Sequence, residues 1–377
     1  MFCYATGCTW EMPVRPPHAR SSIPTLASVA EAAAVSRATV SRAFGAPEML
    51  SRETVENVRA TAARLGYEPN QAARALSTGR TGNLALVVPD ITNPFFAVIM
   101  RGAQARARAE GFSLFLGDAD ETPTLEDELL SKLAPQVDGF VLVSPRMAHD
   151  RIQHHAARRP LVLINSDVPS LTRLLVDAGP SYARAVDLLA ELGHRTIAYV
   201  AGPELSWSNA QRQQAVVAAA GSLDLNLTVL RTTRPSFAAG QDCAAQLIDG
   251  GMTAALAFDD TIAQGIIAGL AERAVSVPGD VSVVGCDGVT TTTTFPALTS
   301  IDTHCRAAGE RVIEILISML RGSDAGERRI VLPTDLVVRA STARAPARMG
   351  SARPRPGRAK TRPDTKPGRA AIAGSRS

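Results

Sequence analysis

The amino-acid sequence predicts an α/β protein in which a short all-α segment precedes two lobes, each built on a parallel β-sheet. From residue 83 onward, short runs rich in Val, Leu and Ile alternate with amphipathic stretches, a pattern typical of right-handed βαβ units. Between residues 25 and 66, by contrast, the apolar residues recur at helical spacing. A chain of 377 residues has room for about two to three domains, so the two patterns can belong to separate folding units.

Residues 25–44 predict two short helices joined by a tight turn. The first helix has apolar residues at i, i+3, i+4 and i+7, and Ser36 is placed to cap the second. The second helix turns Val40 inward together with Ala43 or Phe44. Its outward residues are Arg37, Ala38, Ser41 and Arg42. Helices this short bury little apolar area, so we expect their packing to hold the second one at a fixed angle. A helix held in this way fits the major groove of B-DNA, which is about 12 Å wide. The alternative is an ordinary helical hairpin.

A third helix is predicted to begin after Ser51 and to end at Gly66. Serine is a favourable N-cap residue, and glycine readily adopts the left-handed conformation that ends many helices. The apolar face of this helix consists of Val55, Val58, Ala62 and Leu65. A third helix with its own apolar face argues against the simple hairpin.

Eight runs in the remainder of the chain have the length and composition of strands. They are Leu84–Val88, Ser113–Leu116, Gly139–Val143, Leu161–Ile164, Thr196–Val200, Leu227–Arg231, Ala254–Phe258 and Val281–Gly285. Helical segments are predicted between them, near residues 95–110, 125–134, 150–158, 180–192, 209–221, 239–249 and 261–273. This many strands favours two lobes over one large sheet. Ligands of open parallel sheets bind beyond the carboxyl ends of the strands, so we expect a cleft where those ends face each other.

The sequence disfavours several other classes of protein. Its five cysteines are odd in number and scattered, which favours a reducing cytoplasm over a disulfide framework. No apolar stretch reaches the roughly 18 residues of a membrane span. Residues 1–23 lack the apolar core of a secretory signal, and we interpret them as a disordered or spurious leader. The histidines lack metal-ligand spacing, and H-E-x-x-H, G-x-S-x-G and P-loop motifs are absent, so we expect no metal, no cofactor and no catalytic residue.

Residues 343–377 form a basic tail, with ten Arg and Lys residues against one Asp and a net charge of +9. The tail contains several prolines and almost no large apolar residues, so it is expected to be disordered. It can add non-specific attraction to phosphates, or it can simply be a solvated extension.

Several short motifs occur in a fixed order along the chain. T-L-x-x-V-A, V-S-x-x-T-V-S-R and L-G-Y-x-P-N-x-x-A-x-x-L lie near the N-terminus. They are followed by V-P-D-I-T-N-P-F-F at residues 88–96, G-H-R at 193–195 and V-P-G-D-V-S-V-V-G at 277–285. In this order they resemble the lactose-repressor (LacI/GalR) family of bacterial transcription regulators, over roughly residues 25–342.

The resemblance implies a domain organisation for the whole chain. A helix-turn-helix headpiece occupies residues 24–69, and a hinge helix and linker occupy residues 70–82. Residues 83–342 form a two-lobed domain like a periplasmic binding protein, for effector binding and dimerisation. By resemblance these lobes are discontinuous, and the chain crosses between them near residues 180, 302 and 332. A helix from Thr303 to Leu320 is then expected to return to the first lobe.

The resemblance also assigns DNA contacts to the headpiece. Arg37, Ala38 and Arg42 occupy the positions that read base edges, because arginine can bind guanine bidentately and the alanine methyl can touch thymine. The residues suited to phosphate contacts are Ser36, Thr39, Ser41, Tyr67 and Asn70. Where the family usually has Gly in the turn, this chain has Ala34. If that position requires a positive φ, alanine costs on the order of 1 kcal/mol.

Residues 70–78 resemble the hinge helix of the family. A helix this short is marginal in water, so it is expected to order only when it pairs with its dimer mate on DNA. Leu76 stands where the family inserts a leucine wedge into the minor groove, and Ala73 lies alongside. The alternative is that Leu76 packs against the core domain.

Ten residues are expected to contact the effector, by resemblance or by their position after strands. They are Asp90, Asn93, Phe95, Phe96, Asn165, Ser206, Trp207, Ser208, Arg212 and Asp287. We expect Arg212 and Asp287 to lie on loops that meet only when the lobes close on a shared cleft. Paired hydroxyls of a sugar would bind Asp287, and its C–H faces would stack on Trp207. The alternatives are an ion pair between Arg212 and Asp287 that stabilises the lobes, a core role for Phe96, and a helix-capping role for Asp260.

The sequence therefore predicts a cytoplasmic homodimer that binds a pseudo-palindromic double-stranded DNA operator, with no membrane partner. We expect a repressor that is released by a small, sugar-like effector. A corepressor-dependent repressor, or a regulator that also activates, remains the alternative. An exported solute-binding protein and an enzyme are both disfavoured.

Overall fold

The structure is a computed structural model that describes residues 24–68, 79–232, 234–323 and 327–347. The interpreted leader (1–23), the hinge helix (70–78) and most of the basic tail lie outside these residues. The predictions for Asn70, Ala73 and Leu76 therefore also concern residues outside the described part of the chain.

The headpiece contains helices α1 (Leu26–Ala32), α2 (Arg37–Gly45) and α3 (Arg52–Leu65), with a short 3₁₀ turn at Pro47–Met49. Each helix begins at a hydroxyl cap, and α3 ends at Gly66, where φ is 66°. The shared core consists of Val29, Ala30, Ala33, Val40, Ala43, Val58 and Ala62. Ala43 is fully buried, whereas Phe44 is half-buried, so Ala43 takes the central inward position of α2.

The first lobe is built on a six-stranded parallel sheet, and its elements are numbered here in chain order. The strands of this sheet are β1 (Asn83–Val88), β2 (Ser113–Asp118), β3 (Gly139–Val143), β4 (Leu161–Ile164), β5 (Arg173–Val176) and β11 (Arg329–Leu332). Their order in the sheet is β11-β5-β4-β3-β1-β2. The helices of this lobe are α4 (Pro94–Ala109), α5 (Pro123–Leu133), α6 (His149–Ala156) and α11 (Cys305–Leu320). Apolar side chains of α4 and α11 share one core with the sheet.

The second lobe is built on another six-stranded sheet, with the order β12-β10-β9-β8-β6-β7. Only its edge strand β12 runs antiparallel, against β10. The strands are β6 (Thr196–Ala201), β7 (Asn226–Arg231), β8 (Ala254–Ala257), β9 (Ser282–Asp287), β10 (Thr299–Asp302) and β12 (Asp335–Val337). The helices are α7 (Gly179–Glu191), α8 (Trp207–Ser222), α9 (Phe237–Asp249) and α10 (Asp260–Glu272).

The chain passes between the two sheets three times, after β5, after β10 and after β11. Hydrogen bonds join the first and third of these crossing segments. Thr334 Oγ1 donates to the carbonyl of Asp177 at 3.1 Å, and Ser181 Oγ donates to the carbonyl of Thr334 at 2.9 Å. The imidazole of His304 lies 3.0 Å from the carboxylate of Asp335, which joins the second crossing to the third.

The predicted fold class is confirmed, because a helical N-terminal unit precedes two parallel-rich sheets covered by helices. The structure adds four strands that the sequence did not predict, β5, β10, β11 and β12. Each has three or four residues, and all four contain polar or charged residues that interrupt or shorten an apolar run.

Candidate DNA-binding surface and ligand cleft

The outward face of α2 is a row of exposed polar and small side chains. Arg37, Ala38, Ser41 and Arg42 are all exposed, as the spacing predicts. Among the described residues, neither Arg37 nor Arg42 forms an ion pair, so both guanidinium groups remain available to a partner. Ser36 Oγ accepts a hydrogen bond from the Thr39 backbone N–H at 3.0 Å and lies 2.9 Å from Thr39 Oγ1.

The remainder of the headpiece holds α2 in place. Ala34 lies in the turn before α2 with φ 55°, so the chain places alanine in the left-handed region. Asn57 Nδ2 donates to the Ala33 carbonyl at 3.3 Å, which ties α3 to the same turn. The ring of Tyr67 packs 6.0 Å from the ring of Phe44. Tyr67 is therefore partly a packing residue, in addition to its predicted phosphate contact.

A narrow cavity lies between the lobes, at the carboxyl ends of strands from both sheets. Its position agrees with the general rule for ligand sites in parallel sheets. The first lobe contributes Asn93, Phe95, Phe96, Glu121, Ser144, Arg146 and Asn165 to the wall, and the second contributes Ser206, Ser208, Arg212, Pro235, Phe258 and Asp287. This cleft cavity brings together eight of the ten predicted effector residues. The structure places Asp90 and Trp207 outside its wall.

Arg212 is the central cation of the second-lobe wall and is only 3% exposed. Its Nη1 donates to the Phe258 carbonyl at 2.5 Å, and the guanidinium lies 4.7 Å from the centroid of the Phe258 ring. Its Nη2 lies 3.4 Å from Asp287 Oδ1. Two buried polar atoms in this wall, Arg212 Nε and Ser208 Oγ, have no hydrogen-bond partner among the described residues. Buried polar atoms without partners are rare, and they indicate a place for ligand or water atoms.

The expectation that Arg212 and Asp287 meet only on lobe closure is wrong. Arg212 lies on helix α8 and Asp287 ends strand β9, so both belong to the second lobe and meet within it. Burial raises the pKa of Asp287 well above its ordinary value, although the Arg212 guanidinium opposes that shift. The contact matches the ion-pair alternative, yet both side chains also face the cleft cavity.

Two buried carboxyl groups lie behind this wall. Asp259 Oδ1 accepts from the Ile262 backbone N–H at 2.8 Å and so caps α10, which corrects the assignment of this cap to Asp260. Asp260 accepts instead from Ser300 Oγ at 2.6 Å. Burial raises the pKa of Asp259 to about 6 and that of Asp260 to about 7. Asp259 also accepts from Asn93 Nδ2 at 3.0 Å, a contact that joins the lobes.

Several predicted effector residues already have partners within the protein. The side-chain oxygen of Asn93 accepts a hydrogen bond from the Phe95 backbone N–H and so caps α4, and its side-chain nitrogen donates to Asp259. Asn165 Oδ1 accepts from the Val176 backbone N–H at 2.9 Å, and Ser206 Oγ accepts from the Asn209 backbone N–H at 3.3 Å. These three residues shape the wall, in part, by fixing the backbone.

Of the remaining predicted effector residues, two phenylalanines line the cleft cavity, whereas Asp90 and Trp207 do not. Phe95 and Phe96 line the cleft cavity and are also members of the first-lobe core, so the wall and core roles coincide. Asp90 Oδ1 accepts from the backbone and hydroxyl of Thr92, in a turn at the end of β1. Trp207 is half-buried at the start of α8.

Sequence reasoning missed five wall residues, Glu121, Ser144, Arg146, Pro235 and Phe258. Each follows a strand by one to four residues, so the strand-end rule applied to every strand would have found them. Gly202 is a further sequence feature related to Phe258, because a Cβ at residue 202 would lie 2.4 Å from the Phe258 ring. The glycine therefore makes room for the ring beneath Arg212.

The described residues contain no group of three or more His, Cys, Asp or Glu side chains placed to hold a metal ion. Within the same residues, no helix has both the length and the apolar character needed to cross a membrane.

Comparisons with known proteins agree with this geometry. Residues 25–70 match the model of bacterial regulatory proteins of the lacI family, and residues 186–342 match a periplasmic binding protein-like domain. The chain is 32% identical over 332 residues to the HTH-type transcriptional regulator DegA of Bacillus subtilis (strain 168), covering 84% of this chain and 98% of DegA.

Solved structures give the same result. The lac repressor dimer bound to operator and the anti-inducer ONPF superposes with a TM-score of 0.77 at 25% identity, covering 85% of this chain and 99% of that one. The complex of the transcriptional regulator CelR with cellobiose superposes with a TM-score of 0.64 at 28% identity, covering 84% and 99%. The chain described here is a DNA-binding transcription regulator of the LacI family.

Proposed function

We propose that this regulator is a repressor that acts in the cytoplasm as a homodimer on a pseudo-palindromic operator and is released by a small, sugar-like effector. The observation that carries the proposal is the combination of two sites in one chain. The exposed side chains of Arg37, Ala38, Ser41 and Arg42 lie on a helix that packs against the headpiece core, and a cleft cavity elsewhere contains unpaired buried polar atoms.

The DNA-binding half of the proposal assigns base contacts to Arg37, Ala38 and Arg42. Their exposure and the absence of ion pairs to the two arginines within the described headpiece support this assignment. The residues proposed to contact phosphates are Ser36, Thr39, Ser41, Tyr67 and Asn70. The proposal extends to a minor-groove wedge at Leu76 and Ala73, outside the described residues.

Arg42→Ala is expected to weaken operator binding by about 1–3 kcal/mol and to relax the preference at one base pair, because it removes a bidentate base contact. Selection of bound sequences from randomised DNA, followed by anisotropy titration, measures both effects. Arg64→Ala removes an equally exposed charge from α3 and serves as the matched control, with base preference unchanged. An Arg42→Ala variant with unaltered affinity and preference would contradict the assignment of α2.

The effector half of the proposal rests on the chemistry of the cleft cavity. Arg212 Nε and Ser208 Oγ offer unused hydrogen bonds, Asp287 offers acceptor oxygens, and Phe95 and Phe96 offer apolar surfaces. A polyhydroxylated ring meets all of these groups at once. The cellobiose complex of CelR shows that a relative with this fold binds such a ligand.

Asp287→Asn is expected to reduce effector affinity by about 1–3 kcal/mol, because an amide nitrogen replaces one of the two carboxyl oxygens and leaves a buried ligand hydroxyl without its acceptor. The effector is first identified by thermal shift with a panel of sugars, since a ligand that binds the folded state raises the melting temperature. Anisotropy titrations with operator then compare the variant and the parent chain, with and without that sugar.

The same titrations separate the repressor types. Persistent operator binding in the presence of the sugar is expected for Asp287→Asn, because the headpiece is a separate unit. Loss of operator binding under all conditions would instead indicate a corepressor-dependent protein. An unaltered response to the sugar would remove Asp287 from the effector site.

A further inference from the structure

The first-lobe wall of the cleft cavity contains a buried ion pair that the sequence analysis did not single out. Arg146 and Glu121 both line the cavity, and their side chains are only 3% and 10% exposed. Arg146 Nε donates to Glu121 Oε2 at 2.5 Å, and Nη2 donates to Oε1 at 2.9 Å. This is the bidentate arrangement that fixes both groups in one plane.

The backbone around this pair is itself held in place. The Arg146 and Met147 backbone N–H groups both donate to Glu126 Oε2 at 2.9 Å. Glu126 lies on α5 and is only 3% exposed, so a buried carboxyl group anchors the loop that carries Arg146. Arg146 Nη1 also donates to the Ser144 carbonyl at 2.6 Å. The guanidinium therefore has one fixed orientation before any ligand arrives.

The pair lines the cavity and retains unused hydrogen-bonding capacity. An arginine has five N–H donors, and the three contacts described leave one on each terminal nitrogen. A carboxylate can accept about four hydrogen bonds, and Arg146 accounts for two of those on Glu121. Free donors and free acceptors are thus adjacent. A hydroxyl group both donates and accepts, so neighbouring hydroxyls match this surface.

The charge of the pair excludes another class of ligand. Glu121 compensates Arg146 at hydrogen-bond distance, so this wall offers no uncompensated positive charge. A carboxylate or phosphate placed here would face the Glu121 carboxylate in a buried site, where like charges repel strongly. The wall therefore favours neutral hydroxyl groups over anionic groups.

We infer that Arg146 and Glu121 form the first-lobe half of the effector site, where they bind neighbouring hydroxyls of an uncharged saccharide and reject sugar acids and sugar phosphates. The inference rests on the proposed effector function of the cleft and adds the chemical class of the ligand. Arg212 and Ser208 face the same ligand from the second lobe.

The test is calorimetric titration of the full chain with D-ribose, D-glucose and cellobiose as neutral probes, and with D-glucuronate and glucose 6-phosphate as charged probes. We expect at least one neutral probe to bind, and both charged probes to bind more weakly than D-glucose. Glu121→Gln is expected to weaken the neutral probe about tenfold or more, because hydrogen bonds to a charged group are the stronger ones. Arg151→Met, which removes a first-lobe arginine from its contact with Asp127 outside the cavity wall, is the control and should leave affinity unchanged.

If Glu121→Gln does not fold, the double variant Arg146→Met/Glu121→Met replaces it, because removing both partners of a buried pair is better tolerated than removing one. Tighter binding of a charged probe, no binding of any neutral probe, or unchanged affinity in the variants would overturn the inference. Operator binding is measured on the same samples. The inference can fail while the variants still bind operator and still respond to another ligand through Asp287. In that case the proposed function stands. If operator binding and the Asp287-dependent response are both absent, the proposed function fails as well.

Discussion

Ala34 occupies the turn between α1 and α2 with a positive φ of 55°. In this region the Cβ of an L-residue crowds the following carbonyl, which costs about 1–2 kcal/mol. The family that the sequence resembles usually has glycine at this position. The headpiece therefore tolerates a strained residue directly before its DNA-facing helix.

Replacing Ala34 by glycine is expected to stabilise the folded chain by about 1 kcal/mol, because the relief of strain exceeds the entropy gained by the unfolded state. The matched control is Ala32→Gly, in the last turn of α1, where glycine should destabilise by about 0.5–1 kcal/mol. Denaturant unfolding followed by the backbone amide NMR signals of headpiece residues measures both changes. A destabilised Ala34→Gly variant would show that the turn is not strained.

The cleft illustrates which single residues a sequence can identify. Arg212 and Asp287 were identified through the family resemblance and, for Asp287, through its position after a strand, and both line the cavity. Arg146 and Glu121 each follow a strand by three residues, so their place at the cleft was predictable from the strand ends. Their pairing was not, because the loop that carries Arg146 is fixed by Glu126, a buried contact 20 residues away in sequence. Trp207 was predicted to stack its ring on a sugar. It is the first residue of α8, and at this position its side chain lies outside the cavity wall.

Helices α4 and α11 approach each other closely in the first lobe. A Cβ at Gly309 would lie 2.1 Å from the Ile99 carbonyl oxygen, and a Cβ at Gly102 would lie 2.2 Å from that of Arg306. One glycine on each helix therefore allows the two backbones to meet. Neither oxygen can move away without displacing its helix.

Gly309→Ala is expected to destabilise the chain by about 1–3 kcal/mol, because the added methyl group overpacks a buried backbone contact. The control is Gly221→Ala on α8, where a Cβ meets nothing within 4 Å. There alanine should stabilise by up to about 1 kcal/mol through its higher helix propensity. Thermal unfolding of both variants measures the contrast, and equal melting temperatures would contradict the close helix contact.

Strands with an uninterrupted apolar run were predicted well, whereas short strands that carry polar residues were not. The strand Gly139–Val143 is apolar throughout and buried throughout, so its sequence alone indicates it. Strand β11 alternates exposed and half-buried residues over only four positions. These four residues form a strand because they pair in parallel with the edge of β5. That edge is present only once the sheet has assembled, so the sequence of β11 alone does not indicate the strand.

Two contacts between the lobes span the cleft. Asn93 reaches Asp259 inside it, and Arg234 Nη2 lies 2.6 Å from Asp120 Oδ1 at its rim. The rim pair is exposed, with side chains 49% and 66% accessible, so it contributes only about 0.2–1 kcal/mol. An energy of that size still shifts a balanced equilibrium between lobe orientations several-fold.

Arg234→Asp is expected to open the cleft, because it places two carboxylates where an ion pair stood. Distances between one spin label on each lobe should lengthen, and the double variant Asp120→Arg/Arg234→Asp should restore the original distribution. Arg151→Asp reverses a charge in a contact within the first lobe and should leave the distances unchanged. Failure of the double variant to restore the distances would show that the rim pair does not govern lobe orientation.

The three crossings between the lobes also govern how the protein is made. When the ribosome has added Val176, the first lobe still lacks α11, whose Ala308, Val312, Ile313 and Leu316 fill its core. Its last strand, β11, ends at Leu332, and the last strand of the second lobe ends five residues later, at Val337. Nascent chains shorter than this expose apolar surface that later segments cover, a state prone to aggregation. The two lobes therefore become complete almost together at the end of translation, and no single cut in the gene yields either lobe whole.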